Sequence, residues 1–320
     1  MNPLVLSVRD LCVDFPTRKG VLKALHRVSF DVEKGEVLGI VGESGAGKSL
    51  TGAAVIGLLA APGRISGGEI WLNGQRIDNV AESEMRLLRG RHIGMIFQDP
   101  LTSLNPVFTV GRQLVETLLT HHRMTPRQAR LEAIQLLSEV GITAPERRID
   151  SYPHEMSGGM RQRVVIALAL APKPELIIAD EPTTALDVSI QAQIMALLKR
   201  IASDRGMAIM LISHDMGVIA QMADRVVVMY AGQVAEIGPV AEVLSRPRHP
   251  YSRGLMASIP GLRDERPRLQ QIPGYMPRLS AKPSGCSFHP RCPCAFHPCS
   301  LVEPELKNAD TVKVACHLYG

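Results

Sequence analysis

Long apolar runs are absent from this sequence. The longest, Val164–Ala171 and Met207–Ile212, fall far short of the ~20 residues a bilayer crossing needs. A membrane-spanning chain is therefore excluded, and work at a membrane would mean docking on something already there. The first residues, Met1–Leu11, carry Arg9 and Asp10 and lack the apolar stretch of a signal peptide, so the chain is expected to stay in the cytoplasm. Internal repeats and low-complexity tracts are also missing. Aromatic residues are scarce, at 4% with Trp71 the single tryptophan. The short Cys-x-x-Cys pairs usual in structural zinc sites do not occur, although six cysteines are present.

What is present fits a globular protein. Of 320 residues, 45% are hydrophobic and 21% charged, a balance that supports a full core. The net charge of +5 and pI of about 9.0 would suit a nucleotide, a nucleic acid or an anionic membrane surface, and by themselves select none of them. Leu4–Val8 and Val28–Val32 alternate apolar and polar residues, the pattern of an antiparallel hairpin region. Thr125-Pro126-Arg127-Gln128 is a capping box with proline at the first helical position. Ala129, Ala133, Leu136, Leu137 and Val140 then recur at helical spacing up to Gly141. A second helix is expected from Ser157 to Ala171, before Pro172 and Pro174. Glu175–Ala179, Met207–Ile212 and Arg225–Met229 read as strands. Between the first two, Asp187 is expected to cap a helix with Ile190, Ile194, Leu197, Leu198 and Ile201 on its core face, closed by Gly206. Strands alternating with helices imply an α/β fold around a largely parallel sheet covered on both faces. From Pro247 onward prolines recur and periodicity fades, so an irregular tail is expected there.

The sharpest signal is Gly42-Glu-Ser44-Gly45-Ala46-Gly47-Lys48-Ser49, the full pattern of a phosphate-binding P-loop. A short apolar run, Glu36–Val41, precedes it, and Leu50–Leu59 reads as the following helix. Glycines let successive N–H groups turn inward around phosphate oxygens, and the helix N-terminus adds its positive end. Lys48 brings a charge to the β- and γ-phosphates, and the Ser49 hydroxyl is a hard ligand for Mg²⁺. A second element, Leu176-Ile-Ile-Ala-Asp180-Glu181, is an apolar strand ending in two carboxylates. Asp180 would hold Mg²⁺, directly or through water, and Glu181 would polarise the attacking water as general base. ATP binding and hydrolysis are expected.

With Ser157-Gly158-Gly159-Met160-Arg161-Gln162 the chain resembles the ATP-binding subunits of ABC transporters. That family's signature is Ser-Gly-Gly-Gln, so Met160 departs from it. Ser157 would cap a helix whose N-terminus faces a γ-phosphate, and the resemblance implies that this phosphate belongs to a second ATPase subunit paired head to tail. Other elements match in order. Gln98 is placed like the Q-loop glutamine that ligands Mg²⁺ and senses γ-phosphate. Ala185-Leu186-Asp187 matches the D-loop at the dimer interface. His214 matches the switch histidine that contacts the γ-phosphate, and Phe15 is placed like the aromatic that stacks on adenine. Leu50, Asp187 and Met160 join the nucleotide-contacting set. The implied fold is an antiparallel β subdomain, a RecA-like parallel-sheet core, an inserted helical subdomain at about 99–172, and a Cys-rich extension. The ATP-binding domain is expected over 1–245 and the extension over 246–320.

Phe97-Gln98-Asp99-Pro100-Leu101-Thr102-Ser103-Leu104-Asn105-Pro106, Arg246-Pro247-Arg248-His249-Pro250-Tyr251-Ser252 and the ending from Pro283 to His317 narrow the resemblance. They are similar to the dipeptide and oligopeptide importer subfamily, and within it to the D-type ATPase subunits of dipeptide permeases. Cys286, Cys292, Cys299 and Cys316 match its four tail cysteines, and Cys294 is extra. Four thiolates hold Zn²⁺ or a [4Fe–4S] cluster. The wide spacings and the resemblance favour iron–sulfur, with zinc the alternative and reduced thiols a third reading. His289, His297 and His317 are potential substitutes. The resemblance implies a related second ATPase as partner, two transmembrane permease subunits contacted through Asp99–Gly111, and an extracytoplasmic substrate-binding protein. The place of work is then the cytoplasmic face of the inner membrane, peripherally attached. Nickel and other small-solute importers share this plan. ABC ATPases acting on DNA ends split their motifs with long coiled coils, and those acting on ribosomes usually carry two cassettes. Here Gly42 to His214 is one uninterrupted cassette, so no nucleic acid partner is expected.

Overall fold

The computed structural model describes residues 3–184, 186–258 and 271–320. The chain divides into two units, one formed by residues 1–80 and 210–320, the other by residues 81–209.

The first unit contains a four-stranded antiparallel sheet in the order Gly20–Glu33, Leu4–Thr17, Arg64–Leu72, Gln75–Arg76. The expected hairpin is thus present, but its two strands run 14 residues each. Leu6, Val8, Leu11, Val13, Val28 and Val32 are essentially inaccessible, and burying each such side chain stabilises by about 1.5–3 kcal/mol. A second sheet runs, within this unit, Lys307–Ala309, Val312–Val314, Gln233–Pro239, Arg225–Tyr230, Val37–Val41, and its next strand, Ala208–Ile212, contains the boundary between the units at residues 209 and 210. Val37–Val41 pairs parallel with Arg225–Tyr230, and all its residues are buried, as an apolar run of β-branched residues in a parallel sheet requires. The next pairings, through Gln233–Pro239 to Val312–Val314 and Lys307–Ala309, are antiparallel, so the sheet is mixed.

The expectation of a wholly irregular tail is corrected here. Residues after 246 include the helix Pro250–Ala257 and the two strands just named. Glu236 faces Val314 and Ile237 faces Lys313 across the ladder, which stitches the extension to the sheet by backbone hydrogen bonds. Tyr230, Tyr251 and Phe288 form a cluster with ring centroids 4.7, 5.1 and 5.4 Å apart, within the range of favourable edge-to-face pairs. His249 joins it 5.8 Å from Phe288. Burial pushes the His249 imidazole down to about 4, so it is neutral near pH 7, and its Nδ1 accepts from the Tyr251 N–H at 3.0 Å.

The second unit is mainly helical. Thr125 and Gln128 cap each other, with Thr125 N–H to Gln128 Oε1 at 2.8 Å and Gln128 N–H to Thr125 Oγ1 at 3.3 Å, and the helix runs Pro126–Glu139. It packs on Val110–His121 and on Gly158–Leu170. Arg205, in the last turn of Val188–Arg205, forks onto the Glu139 carboxylate at 2.6 and 3.1 Å. Gly206, left-handed at φ 59°, closes that helix as expected. Its start differs: Asp187 occupies the N-cap position but its side chain makes no capping bond. Ile93–Ile96 and Leu176–Asp180 pair parallel in this unit. Among the described residues no helix is long and apolar enough to cross a membrane.

Candidate active site

In the first unit the P-loop leaves the strand Val37–Val41 and delivers the helix Lys48–Val55. Two glycines are required sterically. At Gly42 (φ 155°) an added Cβ would sit 2.3 Å from the Met229 carbonyl oxygen, and at Gly47 (φ 102°) 2.7 Å from Leu25 Cδ2, closer than real Cβ atoms approach. The loop is fixed from outside as well. Gly232 donates to the Ala46 carbonyl at 2.9 Å, and the Gly232 carbonyl in turn accepts from His26 N–H at 2.9 Å. Lys48 is buried, and its ammonium donates to the carbonyls of Gly42 at 2.9 Å and Glu43 at 3.2 Å. Ser44, Gly45 and Ser49 are exposed and Ala46 is buried. The helix begins at Lys48, two residues before the expected Leu50, so the Lys48 and Ser49 N–H groups belong to its first turn. This is a cradle of donors with one embedded cation, suited to a phosphate chain.

His214 is exposed and follows the strand Ala208–Ile212. Its neighbours hold it at the strand end: Ser213 N–H bonds the Ile40 carbonyl at 3.1 Å, and Asp215 caps the helix Met216–Met222 through Gly217 N–H at 2.7 Å. Phe15 is half-buried, and its ring edge lies where a Cβ on Gly63 would meet it at 2.7–2.8 Å.

In the second unit Asp180 is buried at the end of the strand Leu176–Asp180. The next residue, Glu181, sits in the left-handed region at φ 45°, a conformation that costs a non-glycine residue of order 1 kcal/mol and that gathers at functional sites. One oxygen, Glu181 Oε2, accepts from Gln98 Nε2 and from Thr184 Oγ1, each at 2.9 Å. The structure thus brings together the expected general base and the Q-loop glutamine, 83 residues apart in sequence. The sequence reading missed Thr184, which follows Glu181-Pro182-Thr183 and fixes the same carboxylate oxygen.

The same unit holds the signature. Ser157 is the N-cap of Gly158–Leu170, and its hydroxyl accepts from Met160 N–H at 3.3 Å. Ser157 and Gly158 are exposed, so this helix N-terminus is open to an anion. A Cβ on Gly158 would meet Leu186 Cδ2 at 3.6 Å, and one on Gly159 would meet Ile190 Cγ2 at 2.9 Å, which places the Ser157–Met160 turn against Leu186, in the expected D-loop, and against Ile190. Ala185 of that loop lies outside the described residues. Met160, at the family's glutamine position, is half-buried.

The cysteines of the extension line one hollow of about 10 Å³, reached by Cys286, Cys292, Cys294, Cys299 and Cys316. That is room for about one water. Among the described residues no three His, Cys, Asp or Glu side chains gather to hold a metal ion. The expected [4Fe–4S] cluster and its zinc alternative therefore do not fit this arrangement as it stands. Burial pushes the Cys286 thiol up to about 11 and raises Cys292 and Cys316, which favours protonated thiols. His289 and His317 are turned to backbone carbonyls, Cys286 O at 3.0 Å and Val302 O at 2.8 Å.

Comparison with known proteins agrees with the ATPase geometry. The family model described as ABC transporter matches residues 25–184, and that of the oligopeptide/dipeptide transporter C-terminal region matches residues 235–299. The chain is 46% identical over 313 residues to the dipeptide transport ATP-binding protein DppD of Haemophilus influenzae, covering 98% of this chain and 95% of that one. It is 48% identical over 316 residues to the protein of the same name from Bacillus subtilis, covering 98% and 94%. A solved dimeric ATP-binding cassette in a post-hydrolysis state, bound to ADP and Pi, superimposes with a TM-score of 0.66 at 27% identity over 73% of this chain and 98% of that one. The chain belongs to the ATP-hydrolysing subunits of the ABC transporter family and carries the C-terminal region of its oligopeptide and dipeptide branch.

Proposed function

We propose that this chain powers import of dipeptides or oligopeptides by hydrolysing ATP within a head-to-tail pair of ATPase subunits. The observation that carries the hydrolytic part is the Glu181 carboxylate, held by Gln98 and Thr184 on a strained backbone one residue beyond the buried Asp180. A general base must be oriented before it can take a proton from water, and the two donors on Oε2 fix the orientation of this carboxylate. Lys48 and the N–H groups of Gly45–Ser49 bind the phosphates, and Phe15 packs against the base. Ser49, Asp180 and Gln98 would hold Mg²⁺, which neutralises charge on the β- and γ-phosphates. Ser157, Gly158 and Gly159 close the partner subunit's site, with Asp187 at the seam and His214 reading the γ-phosphate. The division into an ATP-binding domain over 1–245, with a helical subdomain at about 99–172, and an extension over 246–320 follows these roles.

Docking on permease subunits is supported by the stretch after Gln98. Leu101 and Val107 are 63% and 71% exposed on a short segment that begins with the Asp99-capped helix Pro100–Ser103, and Phe97, just before Gln98, is 45% exposed. Exposed apolar groups so close together mark an interaction site. The complex would comprise a related second ATPase, two permeases and an extracytoplasmic binding protein, with this chain on the cytoplasmic face of the inner membrane. Peptide cargo follows the relatives named for dipeptide and peptide transport. In a strain lacking this subunit, uptake of labelled dipeptide is expected to fall to background while nickel uptake is unchanged. Loss of nickel uptake with dipeptide uptake intact would transfer the chain to the small-solute importers.

A [4Fe–4S] cluster in the extension rests on the four-cysteine set alone. Loading would require the hollow to widen and the thiols to release protons. In protein purified without oxygen, about four irons and four sulfides per chain would show that the hollow widens to take the cluster. Zinc without iron would support the alternative, and neither metal would leave reduced thiols.

A further inference from the structure

We propose that the extension is part of the nucleotide-binding apparatus, with Arg291 and Tyr251 acting as positioning residues for the phosphate-binding loop. The point of contact is Glu43, the second residue of that loop. Three of its groups are engaged at once. Its N–H donates to Tyr251 Oη at 2.8 Å. Its carbonyl accepts from the Lys48 ammonium at 3.2 Å. Its carboxylate receives a two-pronged bond from the Arg291 guanidinium, Nη1 to Oε2 at 2.7 Å and Nη2 to Oε1 at 3.0 Å. Arg291 and Glu43 are 248 residues apart, and the Arg291 side chain is only 7% exposed.

The guanidinium is itself held rigidly. Its Nε donates to the Pro273 carbonyl at 2.8 Å, Nη2 also to the Ile272 carbonyl at 3.3 Å, and Nη1 also to Tyr230 Oη at 3.4 Å. All five of its N–H donors are thereby used. It also lies 5.8 Å from the Tyr230 ring centre and 6.0 Å from that of Phe288. A fork so fixed imposes orientation as well as charge, which a lysine cannot do in the same way. Arg291 closes the single turn His289–Arg291, set between Cys286 and Cys292, and Tyr251 sits in the first turn of Pro250–Ala257. Two separate parts of the extension therefore converge on one loop residue. Met276 makes a third approach, with its Cγ 3.9 Å from where a Cβ on Gly45 would lie.

The consequence for ATP follows from charge and path. With Arg291 in place, the Glu43 carboxylate is neutralised beside the loop that must take a polyanion. Without it, an unpaired negative charge stands there in surroundings less screened than water, and the Gly42–Glu43 carbonyls on which Lys48 rests lose their anchor. Substrate binding should suffer and the chemical step should not. This rests on reading Gly42–Ser49 as the ATP loop.

The test uses the full-length chain for equilibrium binding of a fluorescent ATP analogue with Mg²⁺, and the assembled transporter for ATPase kinetics. Arg291→Ala is expected to raise Kd and KM about tenfold, with kcat within about threefold. Arg291→Lys should recover part of the loss, because the charge returns without the fork. Tyr251→Phe, which keeps ring volume and removes only the acceptor, should shift Kd in the same direction if Arg291→Ala does not fold. Lys48→Ala separates the two readings. If it abolishes binding while Arg291→Ala and Tyr251→Phe leave Kd unchanged, the positioning role is overturned. If Lys48→Ala itself binds normally, the reading of the loop fails instead. A fall in kcat at constant KM would also overturn the proposal.

Discussion

Replacing Glu181 by glutamine is expected to leave ATP binding intact and to lower hydrolysis by about 10²- to 10⁴-fold, the range for loss of a general base. The substitution is nearly isosteric. The amide oxygen still accepts from Gln98 Nε2 and Thr184 Oγ1, which both bond Oε2 in the native chain, so the left-handed turn at residue 181 keeps its supports. What disappears is the basic oxygen that takes the water's proton. The measurement is single-turnover hydrolysis alongside nucleotide retention, and the stalled variant should hold ATP in a closed dimer. Turnover near the native rate would remove Glu181 from the role of base. Thr184→Val gives a graded companion to this variant: it removes one of the two donors to the same oxygen and should lower kcat by less.

The second large effect concerns a neighbour's chemistry. In a dimer with one altered subunit, Gly158→Asp is expected to lower hydrolysis at the unaltered subunit's P-loop by about 10²-fold, the scale of losing an anion-stabilising donor set. The altered chain's own P-loop should be nearly unaffected. Gly158 is a cleaner probe than Gly159. A Cβ at 158 meets Leu186 at an ordinary 3.6 Å, whereas one at 159 collides with Ile190 at 2.9 Å and would disturb the altered chain itself. The carboxylate would stand at the exposed N-terminus of Gly158–Leu170 and repel a γ-phosphate brought there. Pairing the altered chain with a Lys48→Ala partner, and the reverse pairing, resolves which site is lost. A defect confined to the altered chain's own loop would contradict head-to-tail closure.

Much of the candidate site is legible in the sequence because its motifs are local. The P-loop needs four residues of fixed type within eight consecutive positions, and a helix that starts at a serine or a capping box announces itself within four residues, as at Ser157 and Thr125. Strand ends were read to within about a residue wherever a buried parallel strand is apolar throughout, as in Leu176–Asp180. Other features were hidden by physics that sequence patterns do not carry. The two long strands of the first sheet appeared only as fragments because register shifts around Asp10 and Cys12 interrupt the period of two on which strand reading depends. Arg64–Leu72 shows no strand pattern in the sequence, because the adjacent Gly67 and Gly68 within it have no side chains to mark a face. Lys307–Ala309 and Val312–Val314, at three residues each, are too short to show a period. Asp187 looked like a cap by residue type, yet makes no capping bond. The Glu43–Arg291 pair spans almost the whole chain, and no local pattern marks a long-range ion pair.

The mixed sheet has a consequence for the order in which the chain can fold. Residues 81–209 form a unit that is continuous in sequence, so its contacts are all available once that stretch has left the ribosome. The unit that carries the phosphate-binding loop is split: the loop and its strand Val37–Val41 are made early, while the adjoining strand Arg225–Tyr230 and the residues that grip Glu43 are made much later. Closing it means joining segments across more than a hundred intervening residues, an entropic cost that grows only slowly with their number but delays formation. Until then the apolar strand that leads into the loop waits without its neighbour, and chaperone protection or prompt synthesis of the remainder has to cover that interval.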